Sequence, residues 1–385
     1  MVKTPIYLDY QATTPMDVRV LDVMMPYLTG KFGNPHSSTH RFGWEAEAAL
    51  DIAREQVANC IEAKPEEIIF TSGATESNNM ALKGVMDVWG EKKPHLITVC
   101  TEHKCVLEAA ADCERHGYRV TYLPVGADGL IDLKRLKAEI TDQTALVSIM
   151  AVNNEIGVIQ PVKEIGALCR GAGVLFHTDA AQAFGKIPLH VDDMNIDLMS
   201  ISGHKIYGPK GVGALYKRSG RHTALSPQMS GGGQEAGWRS GTQAPALVAG
   251  LGAAASLCQD EMAQEHSRLD RLMAAFKSRL FEAMPELVVN GHPEQRWVGN
   301  LNVSFPGLDG DLLLANIRDI AVSSGAACAS AVSGPSYVLQ SIGRSEAVAK
   351  SSIRIGIGRM TTDEELDYAA TVLVDAVATM GGLKP

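Results

Sequence analysis

The chain has 385 residues, 45% of them hydrophobic, which is enough to form a large core and more than one domain. Its formal net charge of −9 disfavours extended contacts with nucleic acid or with an anionic membrane surface. No apolar run is long enough to span a membrane, and the first nine residues lack the apolar stretch of a secretory signal. We therefore expect a cytoplasmic protein whose seven cysteines are mostly free thiols.

Short apolar runs alternate with helix-like stretches between residues 65 and 217. Runs that are apolar on consecutive positions suit strands buried on both faces, and strands that alternate with helices indicate a mainly parallel sheet. The predicted strands of this sheet are 68–70, 96–99, 119–123, 145–150, 174–177, 198–201 and 213–216.

The pattern changes after about residue 258. A helix is predicted to begin at His266 and to end before Pro285, because one helical stripe of it is apolar: Leu269, Leu272, Met273, Phe276 and Leu280. Thr362 and Glu365 have the spacing of a capping box ahead of a last helix.

Short strand candidates, at 302–305 and 353–355, lie between these two helices. We therefore predict an α/β fold in which residues 16–258 form a large domain around the mainly parallel sheet. Residues 1–15 and 259–385 are predicted to form a smaller α+β domain.

Several common motifs are absent or misplaced. The glycines of 208–213 do not have the dinucleotide-binding spacing, and Pro209 stands where a phosphate-binding Walker loop needs lysine. Cys100, Cys105 and Cys113 include no C-x-x-C pair, so no metal site is expected.

Polar residues follow five of the predicted strands at their carboxyl ends, where open α/β sheets bind ligands. These groups are predicted to converge on one crevice, and they comprise 71–76, 101–103, 153–155, 179–182 and 202–205.

The residue types in this crevice suit a ring cofactor that carries a phosphate. Ala74 and Thr75, at a helix start, offer backbone N–H groups to an anion. Asp179 can pair with a protonated pyridine nitrogen, His103 can stack on a ring and move protons, and Lys205 can form a Schiff base. Each residue alone has an ordinary structural explanation, and their joint placement at successive strand ends favours the cofactor site.

Cys328 lies within 323–335, a segment of almost exclusively small residues. Such a composition predicts a flexible loop in which a thiol is accessible and can react. A small buried residue at a helix start is an equally good explanation from the sequence alone.

The chain resembles the IscS/NifS cysteine desulfurases from about residue 5 to about residue 380. The resemblance rests on seven motifs: Tyr7–Pro15, Phe32–Pro35, Thr71–Glu76, Val152–Gly157, Ser202–Lys205, Arg239–Thr242 and Ser323–Cys328. It implies the pyridoxal-phosphate (PLP) fold-type I architecture and a homodimer.

The resemblance also implies a role for each matching residue. It makes Lys205 the Schiff-base lysine, Asp179 the partner of the pyridine nitrogen, His103 the stacking residue and Gln182 a contact of the phenolic oxygen. The phosphate would be held by Ala74, Thr75, Ser202 and His204, together with Thr242 of the other subunit, and the substrate carboxylate by Asn154 and Arg354. Cys328 would carry the sulfur as a persulfide.

The implied activity is the conversion of L-cysteine to L-alanine, with delivery of the sulfur to an acceptor such as an iron–sulfur scaffold or the tRNA-thiolation system. Two alternatives remain open at this stage. One is another transaminase-like PLP enzyme, which would give Cys328 no role. The other is a catalytically idle partner protein that keeps the fold for binding.

Overall fold

The computed structural model describes residues 2–220, 223–324 and 334–381. Thirteen strands lie within these ranges: β1 (Ile6–Tyr7), β2 (Ile68–Thr71), β3 (His95–Val99), β4 (Arg119–Leu123), β5 (Thr144–Ser148), β6 (Leu175–Asp179), β7 (Leu198–Ser202), β8 (Gly213–Lys217), β9 (Val288–Val289), β10 (Asn300–Ser304), β11 (Ile320–Ala321), β12 (Ser323–Ser324) and β13 (Ser352–Gly356).

Eleven α-helices lie within the same described ranges: α1 (Val18–Leu28), α2 (Arg41–Asn59), α3 (Ala74–Trp89), α4 (Lys104–Arg115), α5 (Leu133–Glu139), α6 (Val162–Ala172), α7 (Pro245–Ala283), α8 (Gly310–Asn316), α9 (Tyr337–Ser341), α10 (Glu346–Lys350) and α11 (Asp363–Thr379). None of the helices in this part of the chain combines the length and the apolarity needed to cross a membrane.

The seven predicted strands form one seven-stranded sheet, in the order β2-β8-β7-β6-β5-β3-β4. All neighbours pair in parallel except β8, which runs antiparallel to β2 and β7, so the prediction of a mainly parallel sheet is confirmed. The carboxyl ends of β3, β5, β6 and β7 therefore lie at one edge of the sheet.

Helices cover both faces of this sheet, which explains why its central strands are apolar on consecutive positions. Leu96 and Leu146 pack with α3 and α4 on one face. Their neighbours Ile97 and Val147 belong to the larger core on the other face, which includes residues of α2 and α7. The sheet is thus held between two layers and can support fixed side chains at its edge.

Helix α7 begins at Pro245, well before the predicted start at His266, and runs for 39 residues. Its residues 245–258 are rich in alanine and glycine and have no exposed polar face, so they lack the pattern of an amphipathic helix. These small residues are required by close packing, because a Cβ on Gly252 would lie 2.5 Å from the Cα of Ala53 on α2.

The later strands form a second, antiparallel sheet in the order β12-β13-β10-β9. The N-terminal strand β1 pairs in parallel with β11, which brings the start of the chain to its C-terminal part. The predicted division at residue 258 falls inside the continuous helix α7, and the two-domain division stays a prediction. The capping box of Thr362 and Glu365 is present at the start of α11.

Candidate active site

A cavity of about 640 Å³ lies at the carboxyl edge of the large sheet. The sequence predicted that polar residues from five strand ends would meet there, and the structure brings them together. The cavity is lined by Ala74, Thr75, His103, Asn154, Asp179, Gln182, Ser202, His204 and Lys205.

One end of the cavity is formed by the first turn of α3. The preceding residue, Gly73, has a positive φ of 148° that favours glycine, and no side chain caps the helix. The first amide groups of α3 are therefore left for a ligand, and Thr75 adds a hydroxyl. Strand β8 passes very close to this turn, since a Cβ on Gly213 would lie 2.7 Å from the Cα of Gly73.

Asp179 lies at the end of β6 and is 5% exposed. Its Oδ2 atom accepts a hydrogen bond of 2.7 Å from Asn78 of α3, and its Oδ1 atom accepts one of 2.9 Å from the backbone N–H of Ala181. These bonds stabilise the charged carboxylate and fix its orientation. Glu102 lies nearby, and burial, followed by the neighbouring Asp179, raises the pKa of Glu102 well above its usual range.

Lys205 lies in the short turn after β7. Its Nζ atom donates hydrogen bonds to the carbonyl oxygens of Gln11 (2.6 Å) and Ala12 (2.7 Å). The N-terminal segment therefore forms one wall of the cavity and holds the amine in the site. No periodic pattern in the sequence indicates this role of Gln11 and Ala12, because the contacts join positions more than 190 residues apart.

Two hydrogen bonds determine which way the oxygen and the nitrogen of the Gln182 carboxamide point. Its oxygen accepts a hydrogen bond from Lys186 (3.1 Å), and its nitrogen donates one to the carbonyl oxygen of Gln11 (2.8 Å). A carbonyl oxygen can only accept, so the amide nitrogen must face Gln11 and the amide oxygen faces Lys186. Burial, and then Lys205, lower the pKa of Lys186 to about 7. Burial of His204, followed by the charge of Lys205, lowers the pKa of His204 to about 4. The imidazole of His204 is therefore neutral at pH 7.

His103 is the N-cap residue of α4. Its Nδ1 atom accepts a hydrogen bond of 3.2 Å from the backbone N–H of Cys105 and lies 3.0 Å from the Cys105 thiol. A backbone N–H can only donate, so Nδ1 carries no proton and the proton of the neutral ring is on Nε2. His103 is therefore prepared to donate through Nε2.

Cys105 lines the same cavity, and its sulfur lies 3.1 Å from Asn78. Because Asn78 also donates to Asp179, a chain of contacts joins the carboxylate to the imidazole of His103. Sequence reasoning treated Cys105 as an ordinary buried thiol, and its nearness in sequence to His103 was the signal that could have identified it.

Arg354, on β13, lies behind the cavity wall and is 2% exposed. Its guanidinium donates to the backbone oxygen of Asn154 (3.1 Å), to Asp9 (2.7 Å) and to the Ser323 hydroxyl (3.2 Å). Its Nε atom is buried without an acceptor among the described residues. The arginine thus adjoins Asn154, and the shared role of the two residues at the substrate carboxylate stays a prediction. Its ion-pair partner is Asp9, which the sequence did not identify.

Cys328 lies outside the described residues, as does the rest of 325–333. The residues at both ends of that segment contact the walls of the site. Ser323 donates to Asp9 (2.7 Å), and Tyr337 donates to the backbone oxygen of Glu102 (2.6 Å), directly before His103.

The Ser336 hydroxyl donates to the buried carboxylate of Glu155. Burial raises the pKa of Glu155 to about 7, while the bond from Ser336 and the charge of Arg354 oppose this shift. Glu155 follows Asn154 in a predicted strand-end group, but the sequence did not show that its side chain faces the segment after Cys328.

Thr242 lies away from the cavity and is exposed on the single chain. The neighbouring Arg239 pairs with Glu76 of α3 (2.8 Å), so the motif that contains Thr242 is attached next to the first turn of α3. Its predicted role toward the cofactor of another subunit stays a prediction.

The donor set fits pyridoxal phosphate, which is the cofactor of the family that the sequence resembles. The uncapped first turn of α3 suits the phosphate, the buried Asp179 carboxylate suits a protonated pyridine nitrogen, and Lys205 supplies the amine. Asp179, Lys205 and His103 line the same cavity. A cofactor ring bound there could therefore be within reach of all three side chains.

Comparisons with known proteins agree with this assignment. The pattern of the family "Aminotransferase class-V" matches residues 6–369. The chain is 55% identical over 381 residues to the cysteine desulfurase IscS of Rickettsia bellii, which is 99% of this chain and 93% of that protein. A solved NifS-like protein has a TM-score of 0.90 at 35% identity, with 97% of this chain and 99% of that chain covered. The structure of SspA in complex with cysteine has a TM-score of 0.83 at 39% identity, over 93% of this chain and 100% of that chain. These matches confirm the predicted fold class, and the chain belongs to the class-V aminotransferase family and, within it, to the cysteine desulfurases.

Proposed function

We propose that this protein is a PLP-dependent enzyme that converts L-cysteine to L-alanine and leaves the sulfur on Cys328. The reaction balances without an external oxidant or reductant, because L-cysteine and the Cys328 thiol give L-alanine and the Cys328 persulfide. The observation that carries the proposal is the convergence of Lys205, Asp179 and His103 on one cavity.

Each residue of the site has a task in this reaction. When bound, PLP supplies an electron sink for the pair left at Cα after proton loss. The Asp179 carboxylate would hold the ring nitrogen in its protonated form, Lys205 would hold the cofactor and move the Cα proton, and His103 would donate a proton through Nε2.

Arg354 and Asn154 are proposed to bind the substrate carboxylate. The Nε–H of Arg354 has no acceptor among the described residues, and its Nη1 atom donates to the backbone oxygen of Asn154. A guanidinium is suited to a carboxylate because it donates two parallel hydrogen bonds. Asp9 balances the charge of Arg354 until the substrate arrives.

Cys328 is proposed to take the sulfur inside the cavity and to present it to a separate acceptor. Its segment joins Ser324 to Gly334, and the residues just outside it contact Asp9, Glu155 and Glu102 at the site. Cys328 is four residues from Ser324 and six from Gly334, so at roughly 3.3 Å per residue it can lie up to about 13 Å from the first and about 20 Å from the second. This length supports access to both the substrate and a bound protein.

A homodimer is part of the proposal. On the single chain, α1, α2 and their connection expose large apolar side chains, an arrangement typical of protein interfaces. The exposed residues of this surface, here called the α1–α2 surface, include Val18 (69%), Leu28 (56%), Phe32 (70%), Trp44 (53%) and Ile52 (56%). Thr242 is also exposed, which supports a contact with the cofactor phosphate of the partner subunit.

The sulfur acceptor is proposed to be an iron–sulfur scaffold, with tRNA thiolation as a further destination. A reaction that passes sulfur through a persulfide needs reduced thiols, so we place it in the cytoplasm. Free thiols at the six cysteines of the described ranges support this placement. A transaminase-like activity would leave Cys328 without a role, and an idle protein would not need the full donor set of the cavity.

The direct test is alanine release from L-cysteine by the purified protein, with the cofactor fixed by borohydride and its position mapped. We expect yellow protein, alanine formation and labelling at Lys205, with turnover abolished by Lys205→Ala. Lys210→Ala is the matched control and should keep its turnover, because Lys210 lines the same cavity but takes no part in the proposed chemistry. Colourless protein, or a label on another lysine, would refute the proposal.

A further inference from the structure

A second cavity, of about 180 Å³, lies between α7 and the loop before β10. Its lining includes Arg296 and Lys277, together with the acidic residues Asp270 and Glu294. Arg296 is only 8% exposed, whereas both acidic residues are exposed. The buried part of the wall is therefore cationic, and the carboxylates belong to the solvent side.

Arg296 is incompletely satisfied by the protein. Its Nη2 atom donates to the backbone oxygen of Ile156 (3.1 Å) and to the side chain of Asn300 (3.3 Å). Its Nε and Nη1 atoms are buried and have no hydrogen-bond acceptor among the described residues. A buried guanidinium with two unsatisfied nitrogens is costly unless an acceptor occupies the adjoining space.

The electrostatics of the cavity agree with this geometry. Burial lowers the pKa of Arg296 to about 10, and no carboxylate among the described residues offsets this loss of solvent. Burial, and then Arg296, also lower the pKa of Lys277, while the exposed Asp270 opposes this shift. Two cationic groups thus share one small cavity, and an anion between them would relieve both the desolvation and the mutual repulsion.

We propose that this cavity is a binding site for a small oxyanion, held by Arg296 and Lys277. Carboxylates and phosphate share the required chemistry, because both accept two parallel hydrogen bonds from a guanidinium. A volume of about 180 Å³ suits a small anion and excludes a nucleotide.

The site lies directly behind the substrate-binding segment. Arg296 is bonded to the carbonyl oxygen of Ile156, and Asn300 donates to the carbonyl oxygen of Glu155 (3.3 Å). The segment that these bonds hold includes Asn154, which lines the active-site cavity. The oxyanion site is nevertheless separate from the proposed cofactor site, and its existence does not depend on the desulfurase activity.

The test uses the holoenzyme, in which the cofactor already occupies its own phosphate site. At constant ionic strength, inorganic phosphate and acetate are titrated separately while the thermal midpoint and the heat of binding are recorded. We expect a saturable rise of the midpoint with at least one of the two anions, because a ligand that binds only the folded state stabilises it. Arg296→Gln should abolish the response, and Lys277→Gln should weaken the affinity about tenfold, the loss of one charge-assisted bond.

Two controls keep the result interpretable. The exposed Arg135→Gln should respond like the wild type, and Arg354→Gln removes the arginine that would bind acetate in the active site. If Arg296→Gln does not fold, Arg296→Lys tests the same point, because it keeps the charge but loses the two-pronged geometry and should bind more weakly. A response to phosphate alone assigns a phosphate site, and a response to acetate alone assigns a carboxylate site. Equal responses of wild type and Arg296→Gln, or no saturable response to either anion, would overturn the proposal.

Discussion

At the scale of single residues, the site depends on groups whose hydrogen bonds fix which atoms can donate. The backbone N–H of Cys105 makes Nδ1 of His103 an acceptor, and Lys186 turns the amide oxygen of Gln182 toward itself. His103 thus has two tasks, the cap of α4 and a proton donor at Nε2. The two tasks predict separable effects of substitution.

His103→Asn should keep the cap and lose the ring, because Asn is among the best N-cap residues, whereas His103→Ala should lose both. We expect the Asn variant to unfold in denaturant with nearly wild-type stability and the Ala variant to lose about 1 kcal/mol. Alanine release should fall strongly in both. A His103→Asn enzyme that retains wild-type turnover would remove the ring from the proposed chemistry.

Glu155 predicts a specific dependence of stability on pH. Its pKa is raised from 4.5 to about 7 in the folded protein, mainly by burial. The stability that comes from its protonated form is therefore fully present below pH 4.5 and is lost as the pH rises through about 7. The shift corresponds to a free energy on the order of 3 kcal/mol.

Glu155→Gln should consequently gain stability relative to the wild type as the pH rises, since glutamine stays neutral. Free energies of unfolding, measured in denaturant across this range, check the trend. The exposed Glu108→Gln is the control and should keep the wild-type dependence. A difference between Glu155→Gln and wild type that does not change with pH would show that the carboxylate does not titrate as described.

At the scale of elements, the phosphate end of the site depends on the close approach of β8 to the first turn of α3. A Cβ on Gly213 would collide with the carbonyl oxygen of Ile201 and the Cα of Gly73. Glycine is therefore needed at this position because there is no room for a side chain, and not because of its φ angle. Both contacts are with backbone, which cannot move aside as a flexible side chain does.

Gly213→Ala should therefore displace the first turn of α3 and weaken PLP binding about 5- to 150-fold, in line with the roughly 1–3 kcal/mol that overpacking costs. Equilibrium titration of the apoprotein with PLP measures the effect. Gly171→Ala is the matched control, because a Cβ on that helical glycine meets nothing within 4 Å. Equal PLP affinities for the two variants would show that this contact does not shape the cofactor site.

At the scale of the whole molecule, the sequence was sufficient for the sheet and for the groups at its carboxyl edge. Consecutive apolar positions identify buried strands, and parallel strands bring their ends together, which explains the success at Asp179 and Lys205. It was not sufficient for residues 245–258 of α7, where alanine and glycine are packed on all sides. Nor could it show the contacts of Asp9 with Arg354 or of Glu155 with Ser336, which join distant positions and follow no period.

Because the α1–α2 surface is exposed on the single chain, we expect that the proposed homodimer can be disrupted there without unfolding the chain. Phe32→Asp places a charge on a side chain that is 70% exposed on the single chain, so it should disrupt a dimer and leave the fold intact. We expect a monomer in sedimentation experiments, with weaker PLP retention and little alanine release. Leu312→Asp, at a 59% exposed position on α8, is the control and should stay dimeric and active. A fully active Phe32→Asp monomer would contradict the proposed role of the partner's Thr242.

The most direct test of the central claim follows the sulfur atom in a single turnover of L-cysteine. Mass analysis of the peptide that contains Cys328 is combined with a count of the alanine released, for the wild type and for Cys328→Ser. The wild type should release one alanine for each sulfur atom gained at Cys328, and the variant should bind PLP and cysteine normally yet release almost none. Alanine release at the wild-type rate by Cys328→Ser, or sulfur found on another cysteine, would contradict the assignment.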